Sequence, residues 1–206
     1  MSKRRARNTF EEVPCIIAFD QSYARTGIAV CNKGKVVKAF SYDFKGIVHN
    51  NSAKRLYLQE RMQKIINTCL KKYKPEQIVV LVERVRTYTS STEIRIEVIK
   101  SHSMLVAAIV DQATKNGIKT FSVDTRAWKA RVLGSAKPII EPVHGVTNPQ
   151  KFASVNKAIK LGFFDDMKIV SARKRNDYSL NDDMADAICM SLYPFTGHPY
   201  TLKLET

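Results

Sequence analysis

Short continuous apolar runs alternate along this chain with longer stretches in which apolar residues recur every three or four positions. The short runs predict five strands, at residues 14–20, 27–31, 35–43, 78–82 and 118–123. The first and fourth runs are almost unbroken, which indicates strands covered on both faces, because a strand with one face in water alternates apolar and polar residues. Asn32-Lys33-Gly34, between the second and third runs, has the composition of a hairpin turn.

Helical periodicity predicts the remaining elements, at residues 52–73, 91–116, 125–134, 149–161 and 182–193. The apolar stripe of the first helix is formed by Leu56, Met62, Ile65, Ile66, Cys69, Leu70 and Tyr73. Ser90 and Glu93 form a capping box before the second helix, and Asp124 is placed to cap the third. The second helix carries more apolar surface than one core face requires, with Leu105 and Ile109 on that face. It is therefore our candidate for a subunit interface.

The element order, βββ-α-β-α-β-α with a helical end, predicts one α/β domain over residues 13–195. Residues 1–12 are basic and lack an apolar period, so we expect a disordered arm, and residues 196–206 are expected to form a C-terminal tail. A chain of 206 residues with 44% hydrophobic residues suits one domain with a real core. Collagen-like, low-complexity and wholly disordered classes are excluded by this composition.

Nothing in the sequence predicts a membrane span or a zinc site. The longest apolar run, residues 104–110, has seven residues, against the roughly 20 that a spanning helix needs. The basic N-terminus has no apolar stretch behind it, so a secretory signal is not expected. The cysteines form no CxxC pair, and buried reduced thiols in the cytoplasm are the better interpretation of Cys15, Cys31, Cys69 and Cys189.

Charge is the most informative part of the composition. The chain has 34 Lys and Arg against 19 Asp and Glu, a formal net charge of +15. Such an excess repels itself, so a polyanion is the natural partner, and a nucleic acid fits better than a lipid surface because no helix shows a dedicated basic face. Arg173, Lys174 and Arg175 concentrate this charge in one predicted loop and are expected to contact the DNA backbone.

Four acids lie where strands and helices place functional groups. Asp20 ends the first strand and Glu83 ends the fourth, while Asp183 and Asp186 stand three residues apart on one face of the last helix. Carboxylates that converge without basic partners repel one another unless they bind Mg²⁺ or Mn²⁺. Two such ions, about 3.5–4 Å apart, can activate a water and stabilise the leaving oxygen of a phosphodiester.

Each acid alone also has an ordinary explanation. Asp20 could be a turn former, and Asp182 or Asp183 could serve only the helix N-terminus. Glu83, directly after five apolar residues, is harder to explain without a partner. Only the set of four, in this order of elements, indicates chemistry.

Three segments carry a resemblance to a known family: AFDQSYARTGIAV (18–30), VVLVER (79–84) and DDMADAICM (182–190). They resemble the acidic motifs of RuvC-type Holliday-junction resolvases, in the ribonuclease H-like nuclease superfamily. The family pattern is an Asp on the first strand followed by Thr-Gly, a Glu closing the fourth strand, and Asp-x-x-Asp-Ala on the last helix. These positions fall on Asp20, Thr26-Gly27, Glu83 and Asp183 to Ala187, and the spacing resembles a phage-encoded branch.

The resemblance implies a ribonuclease H-like fold with a central, mixed five-stranded sheet flanked by helices. It implies a metal-dependent endonuclease that resolves four-way junctions and other branched DNA, leaves a 5′-phosphate, and acts in DNA recombination and repair. Asp20, Glu83, Asp183 and Asp186 would hold two Mg²⁺ ions, with Mn²⁺ as a substitute. Paired nicking implies a homodimer, in the cytoplasm of a bacterial host for a phage protein. The alternatives are a ribonuclease H or transposase-like nuclease, and a non-catalytic DNA-binding module.

The expected DNA contacts surround these acids. Arg84 and Arg86 are placed to bind phosphates, although the family commonly has an aromatic residue where this chain has Arg86. Tyr88 is the nearest aromatic side chain and is the candidate to open the junction core. The GSAK stretch (134–137) resembles a loop whose lysine contacts DNA, and either Lys137 or Lys151 is its counterpart.

Overall fold

A computed structural model describes residues 13–22, 24–44, 51–85, 94–136, 152–163, 182–196 and 202–205 of the chain. Its strands are β1 Cys15–Gln21, β2 Arg25–Asn32, β3 Lys35–Asp43, β4 Ile78–Glu83, β5 Lys119–Val123 and β6 Leu202–Glu205. Its helices are α1 Asn51–Leu70, α2 Ile94–Lys115, α3 Thr125–Val132, α4 Phe152–Lys160 and α5 Asp182–Leu192. The predicted strands and helices are therefore present in their predicted order. The capping-box residues Ser90 and Glu93 lie outside the described residues.

The strands form one mixed sheet in the order β3-β2-β1-β4-β5-β6. The first three strands are antiparallel neighbours, β1, β4 and β5 run parallel, and β6 joins the edge antiparallel to β5. The five expected strands and the α/β class are confirmed, but the sheet has a sixth strand. It comes from the segment assigned to a tail, and it pairs with β5 over Thr120 to Val123.

Turn and cap chemistry is as the sequence predicts. Lys33 and Gly34 connect β2 to β3 with φ values of 46° and 78°, and the left-handed backbone is the reason that glycine is favoured in such two-residue hairpin turns. The Asp124 side chain accepts hydrogen bonds from the backbone N–H groups of Arg126 and Ala127 at the start of α3.

Alternate residues of β1 serve two separate layers. Ile17 and Phe19 pack toward α1 and α2, together with Leu58 and Leu105. Ile16 and Ala18 point the other way, into a layer that includes Trp128 of α3 and Cys189 of α5. Because side chains alternate along a strand, Asp20 continues the second series and points toward α3 and α5. The Asp20 side chain therefore lies at the end of β1, on the face of the sheet that α3 and α5 cover.

The predicted apolar stripe of α1 is wrong at one position. Leu56 is 66% exposed, whereas Leu58 is fully buried and was not included. The true stripe continues four residues back from Leu58 to Lys54, which is 4% exposed and places its ammonium 5.9 Å from the centre of the Phe44 ring. The aliphatic stem of a lysine can be buried at a core-facing position of a helix. A search for apolar residues overlooks such a lysine and selects a nearby leucine, here Leu56, in its place.

The core-facing residues of α2 are not spare surface for a second subunit, contrary to expectation for Leu105 and Ile109. Leu105, Ile109 and Ala113 are almost fully buried within the subunit's own core. Helix α2 packs against α1 as well as the sheet, and two neighbours require a wider apolar face than one. A charge at Leu105 or Ile109 would therefore unfold the subunit rather than separate two subunits.

None of the helices in the described part of the chain combines the length with the apolar character that a membrane span requires.

Candidate active site

The ends of β1 and β4 bring the first two acids to one edge of the sheet. The parallel register pairs Phe19 with Val82, so Asp20 and Glu83 are the next residues on neighbouring strands. Gln21 holds the two strand ends together: its Nε2 donates to the Glu83 carbonyl oxygen at 2.6 Å, and its Oε1 accepts from the Glu83 N–H at 3.3 Å. The spacing of the strand ends is thus set by a side-chain clamp.

A glycine allows the last helix to approach these strand ends. Gly27 on β2 is the cross-strand partner of Asp20. A Cβ at this position would lie 2.0 Å from the carbonyl oxygen of Asp183 and 2.5 Å from the backbone nitrogen of Met184. The first turn of α5 therefore rests directly on the β2 backbone, beside Asp20, which explains the need for glycine in Thr26-Gly27.

The acids of α5 have different neighbours. Ser22 Oγ, which donates to the Arg25 carbonyl oxygen at 2.7 Å, lies 3.4 Å from Asp183 Oδ2, and Lys129 Nζ on α3 lies 3.7 Å from Asp186 Oδ2. Asp182 Oδ1 accepts from the Asp183 N–H at 3.2 Å, as expected for an acid in the first turn of a helix. Asp182 therefore has a local role at the start of the helix.

Electrostatic coupling joins the four acids into one site. Asp20 is only 8% exposed, and burial raises its pKa well above the ordinary value, with further increases from the charges of Glu83, Asp186 and Asp183. Burial also raises the pKa of Asp186 to about 6, although Lys129 and Ser154 lower it. Carboxylates from β1, β4 and α5 therefore affect one another while Lys129 offsets part of their repulsion.

Sequence reasoning missed three of these supporting residues. Gln21 clamps the strands, Ser22 contacts Asp183, and Lys129 is the neighbouring cation. Lys129 lies on α3, the helix that follows β5, and it directly follows Trp128, which is buried in the core. Because that helix lies over the same sheet edge, its position was a usable signal. His102 also lies near Glu83. Burial lowers the pKa of His102, and the negative charge of Glu83 offsets only part of this decrease.

One predicted DNA contact lies within the described residues. Arg84 is exposed beside Glu83, and its backbone N–H donates to the Val123 carbonyl at 2.8 Å. The other predicted contacts lie outside the described residues: Arg86, Tyr88, Lys137, Lys151, Arg173, Lys174 and Arg175.

The donor chemistry of the site fits a divalent metal. Carboxylate oxygens are the ligands that Mg²⁺ and Mn²⁺ prefer, and a buried acid with a raised pKa gains from a nearby cation. Within the described residues, no group of three or more acidic, histidine or cysteine side chains is arranged to hold an ion as it stands.

The raised pKa values predict an unusual pH dependence of metal-free stability. An acid with a higher pKa when folded binds more protons in the folded state, so stability falls as pH rises from about 4 through about 6. In EDTA at pH 7.5 we expect Asp186→Asn to be more stable than the wild type by up to about 3 kcal/mol, a gain that disappears near pH 4. Thermal unfolding across this range measures it. An equal melting temperature at pH 7.5 would show that Asp186 is well solvated.

Comparison with solved structures identifies the fold. The chain is similar to Thermus thermophilus RuvC, with 12% identity and a TM-score of 0.53 over 93% of this chain and 99% of that one. It is also similar to T. thermophilus RuvC in complex with a Holliday junction substrate, with 11% identity and a TM-score of 0.52 over 87% of this chain and 90% of that one. No protein-family model matches the chain, and no curated protein matches it. The ribonuclease H-like α/β fold is therefore confirmed.

Proposed function

We propose that this protein is a metal-dependent DNA endonuclease that resolves four-way junctions. The observation that carries the proposal is that Asp20 and Glu83 end neighbouring parallel strands, while the first turn of α5, with Asp183, lies against Gly27, the cross-strand partner of Asp20. Asp186, on the same helix, contributes with Glu83 and Asp183 to the raised pKa of Asp20. The RuvC-like fold supports it, because one of the similar structures is RuvC bound to a Holliday junction substrate. The net charge of +15 supports a DNA partner.

The side chains of the site would have separate roles in the reaction. When bound, Mg²⁺ or Mn²⁺ ions would lower the pKa of a water and offset charge on the scissile phosphate. The four carboxylates would hold the ions, with Gln21 keeping the strand ends at a constant spacing. Lys129 would limit the repulsion among the acids before metal binds.

Two symmetric nicks require two active sites, so we propose that the protein acts as a homodimer. Exposed residues of α2 outside the core-facing stripe, such as Ile96 at 52% exposure, remain available for such a contact. The residues Leu105 and Ile109 do not.

A single cleavage experiment separates this function from its alternatives. Labelled four-way junction, flap, linear duplex and RNA–DNA hybrid are incubated with Mg²⁺ and either wild type or Asp20→Asn. We expect cleavage of the junction by the wild type, at paired positions, and none by the variant. Preference for the hybrid would indicate a ribonuclease H, and binding without any cleavage would indicate a DNA-binding module.

The basic segment predicted to contact DNA allows a separate test. Replacing Arg173, Lys174 and Arg175 together by Ala should weaken binding to all DNA forms about equally. It should also reduce the salt dependence of log K by up to about 0.9 for each lost phosphate contact. Fluorescence anisotropy at several salt concentrations measures both. An unchanged slope would exclude these residues from the DNA contact.

A further inference from the structure

A groove lies on the side of the sheet away from the four acids. It is formed between β3 and the second half of α1, has a volume of about 660 Å³, and includes Cys15, Val30 and Ile65 among its lining residues. Cys15 begins β1 whereas Asp20 is near its end, a separation of about 17 Å along the strand. The two residues also point to opposite faces of the sheet. The groove is therefore distinct from the candidate active site.

Aromatic rings supply a large part of this groove. Phe40, Tyr42 and Tyr73 all line it and are only partly buried against the core. Phe40 and Tyr42 meet edge to face, with ring centres 5.3 Å apart and an angle of 66° between the planes. Rings in this arrangement do not cover each other face to face, but a cation of the chain lies over each of them, Lys38 over Phe40 and Arg61 over Tyr42, the latter at 5.5 Å from the ring centre. A base that stacks on either ring therefore replaces or shares this cation contact.

Cations lie among these rings. Lys38, Lys64 and Lys72 line the groove, and none of the described residues that line it carries a carboxylate. The Lys38 ammonium is 5.5 Å from the centre of the Phe40 ring. Outside the lining, Glu60 contacts Lys64 at 2.8 Å on the exposed surface, where an ion pair is easily exchanged for another anion.

The spacing of the lysines favours a chain of phosphates over a single one. Lys64 and Lys72 are eight residues apart, about 12 Å along the axis of α1 and its final turn, and Lys38 lies on the opposite wall. Residues 37–42 of that wall extend over about 17 Å, which is longer than one nucleotide. A positively charged groove with exposed aromatic rings is the arrangement that binds single-stranded nucleic acid by stacking and backbone contact.

We propose that this groove binds a short segment of single-stranded DNA. Its bases would stack on Phe40, Tyr42 and Tyr73, and its phosphates would contact Lys38, Lys64 and Lys72. Binding here does not depend on the nuclease function, because the groove shares no residue with the four acids.

The test measures the affinity of the full-length protein for fluorescein-labelled (dT)6 by anisotropy in EDTA. Lys38→Gln with Lys72→Gln should weaken binding about tenfold at 50 mM salt and reduce the salt slope by about 1.4. The matched control is Lys115→Gln with Lys119→Gln, which removes the same charge from exposed lysines outside the groove and should leave affinity within about twofold. Phe40→Leu, which keeps an apolar side chain against the core, should weaken binding about fivefold or more without changing the slope.

Three results would each overturn the proposal. Equal losses in the groove pair and the control pair would show general charge attraction. An equal loss of affinity for a blunt duplex hairpin would show a phosphate surface without preference for single strands. Binding of dTMP as tight as that of (dT)6 would show a site for a free nucleotide. Because no cleavage is measured, failure of the nuclease proposal would leave all three results interpretable.

Discussion

Replacing any one of the four acids by its amide is expected to abolish cleavage while leaving DNA binding intact. We expect Asp20→Asn, Glu83→Gln, Asp183→Asn and Asp186→Asn each to lose at least about a thousandfold in cleavage rate with Mg²⁺. The reason is that each substitution removes an anionic oxygen from a site whose only proposed role is to hold metal. Single-turnover cleavage of a labelled four-way junction measures the loss.

The same variants should bind the junction at least as tightly as wild type in EDTA. Without metal, the charges of Glu83, Asp183 and Asp186 already raise the pKa of Asp20, so they also oppose a phosphodiester at the same place. Neutralising one acid reduces this repulsion. Band shift in EDTA, on the same protein preparations, separates the effect on binding from the effect on chemistry.

Asp182→Asn is the matched control, since it makes the same chemical change in the same helical turn. Its Oδ1 accepts from the Asp183 N–H, a contact that an Asn oxygen also makes, so we expect most activity to remain. Cleavage that survives in Glu83→Gln would contradict the assignment of the acids. So would cleavage that is lost in Asp182→Asn but kept in Asp183→Asn.

Gly27→Ala is expected to have the second largest effect, although Gly27 carries no functional group. The added Cβ would lie 2.0 Å from the Asp183 carbonyl oxygen, so the first turn of α5 must move away from β2. We expect a loss of about 3 kcal/mol in stability and at least about a hundredfold in cleavage rate, because a displacement of about 1 Å is enough to misplace catalytic groups. Urea unfolding and single-turnover cleavage measure the two effects.

Gly162→Ala is the control for a glycine substitution as such. Gly162 has a φ of 80°, and an added Cβ would meet no atom within 4 Å, so the cost is backbone strain of about 1 kcal/mol with no effect on cleavage. If Gly27→Ala cleaved as fast as Gly162→Ala, contact between α5 and β2 would not be what positions Asp183.

Some features followed from the sequence alone because their causes are local. The strand β4 was recognisable from its unbroken apolar run, and the hairpin at Lys33-Gly34 from a glycine placed where the backbone is left-handed. The cap at Asp124 was recognisable because the side chain of the residue before a helix can accept a hydrogen bond from the backbone N–H two residues further on, here that of Arg126. Asp20 and Glu83 could be paired because parallel strands place their carboxyl ends at the same edge.

Other features depended on contacts between residues far apart in the chain. Leu105 and Ile109 were wrong as interface residues of α2, because apolar periodicity does not tell how many neighbours share a face, and both residues belong to a core built with α1. Leu56 was wrongly included in the α1 stripe because lysine is classed as polar, although the aliphatic stem of Lys54 is buried in the core. The sixth strand was missed because it has only four residues. A strand this short is not stable by itself and forms only by pairing with an existing edge strand, here β5.

The candidate site divides along the same line. The sequence by itself selected the four acids as candidates, since carboxylates at strand ends and at a helical spacing of three are recognisable residue by residue. Only the tertiary structure decided that Gln21 clamps the strand ends, that Gly27 admits the backbone of α5, and that Lys129 approaches Asp186. All three contacts join residues far apart in the chain, 62 positions in the case of Gln21 and Glu83. Such contacts are set by packing of the whole chain, which no local pattern of residues specifies.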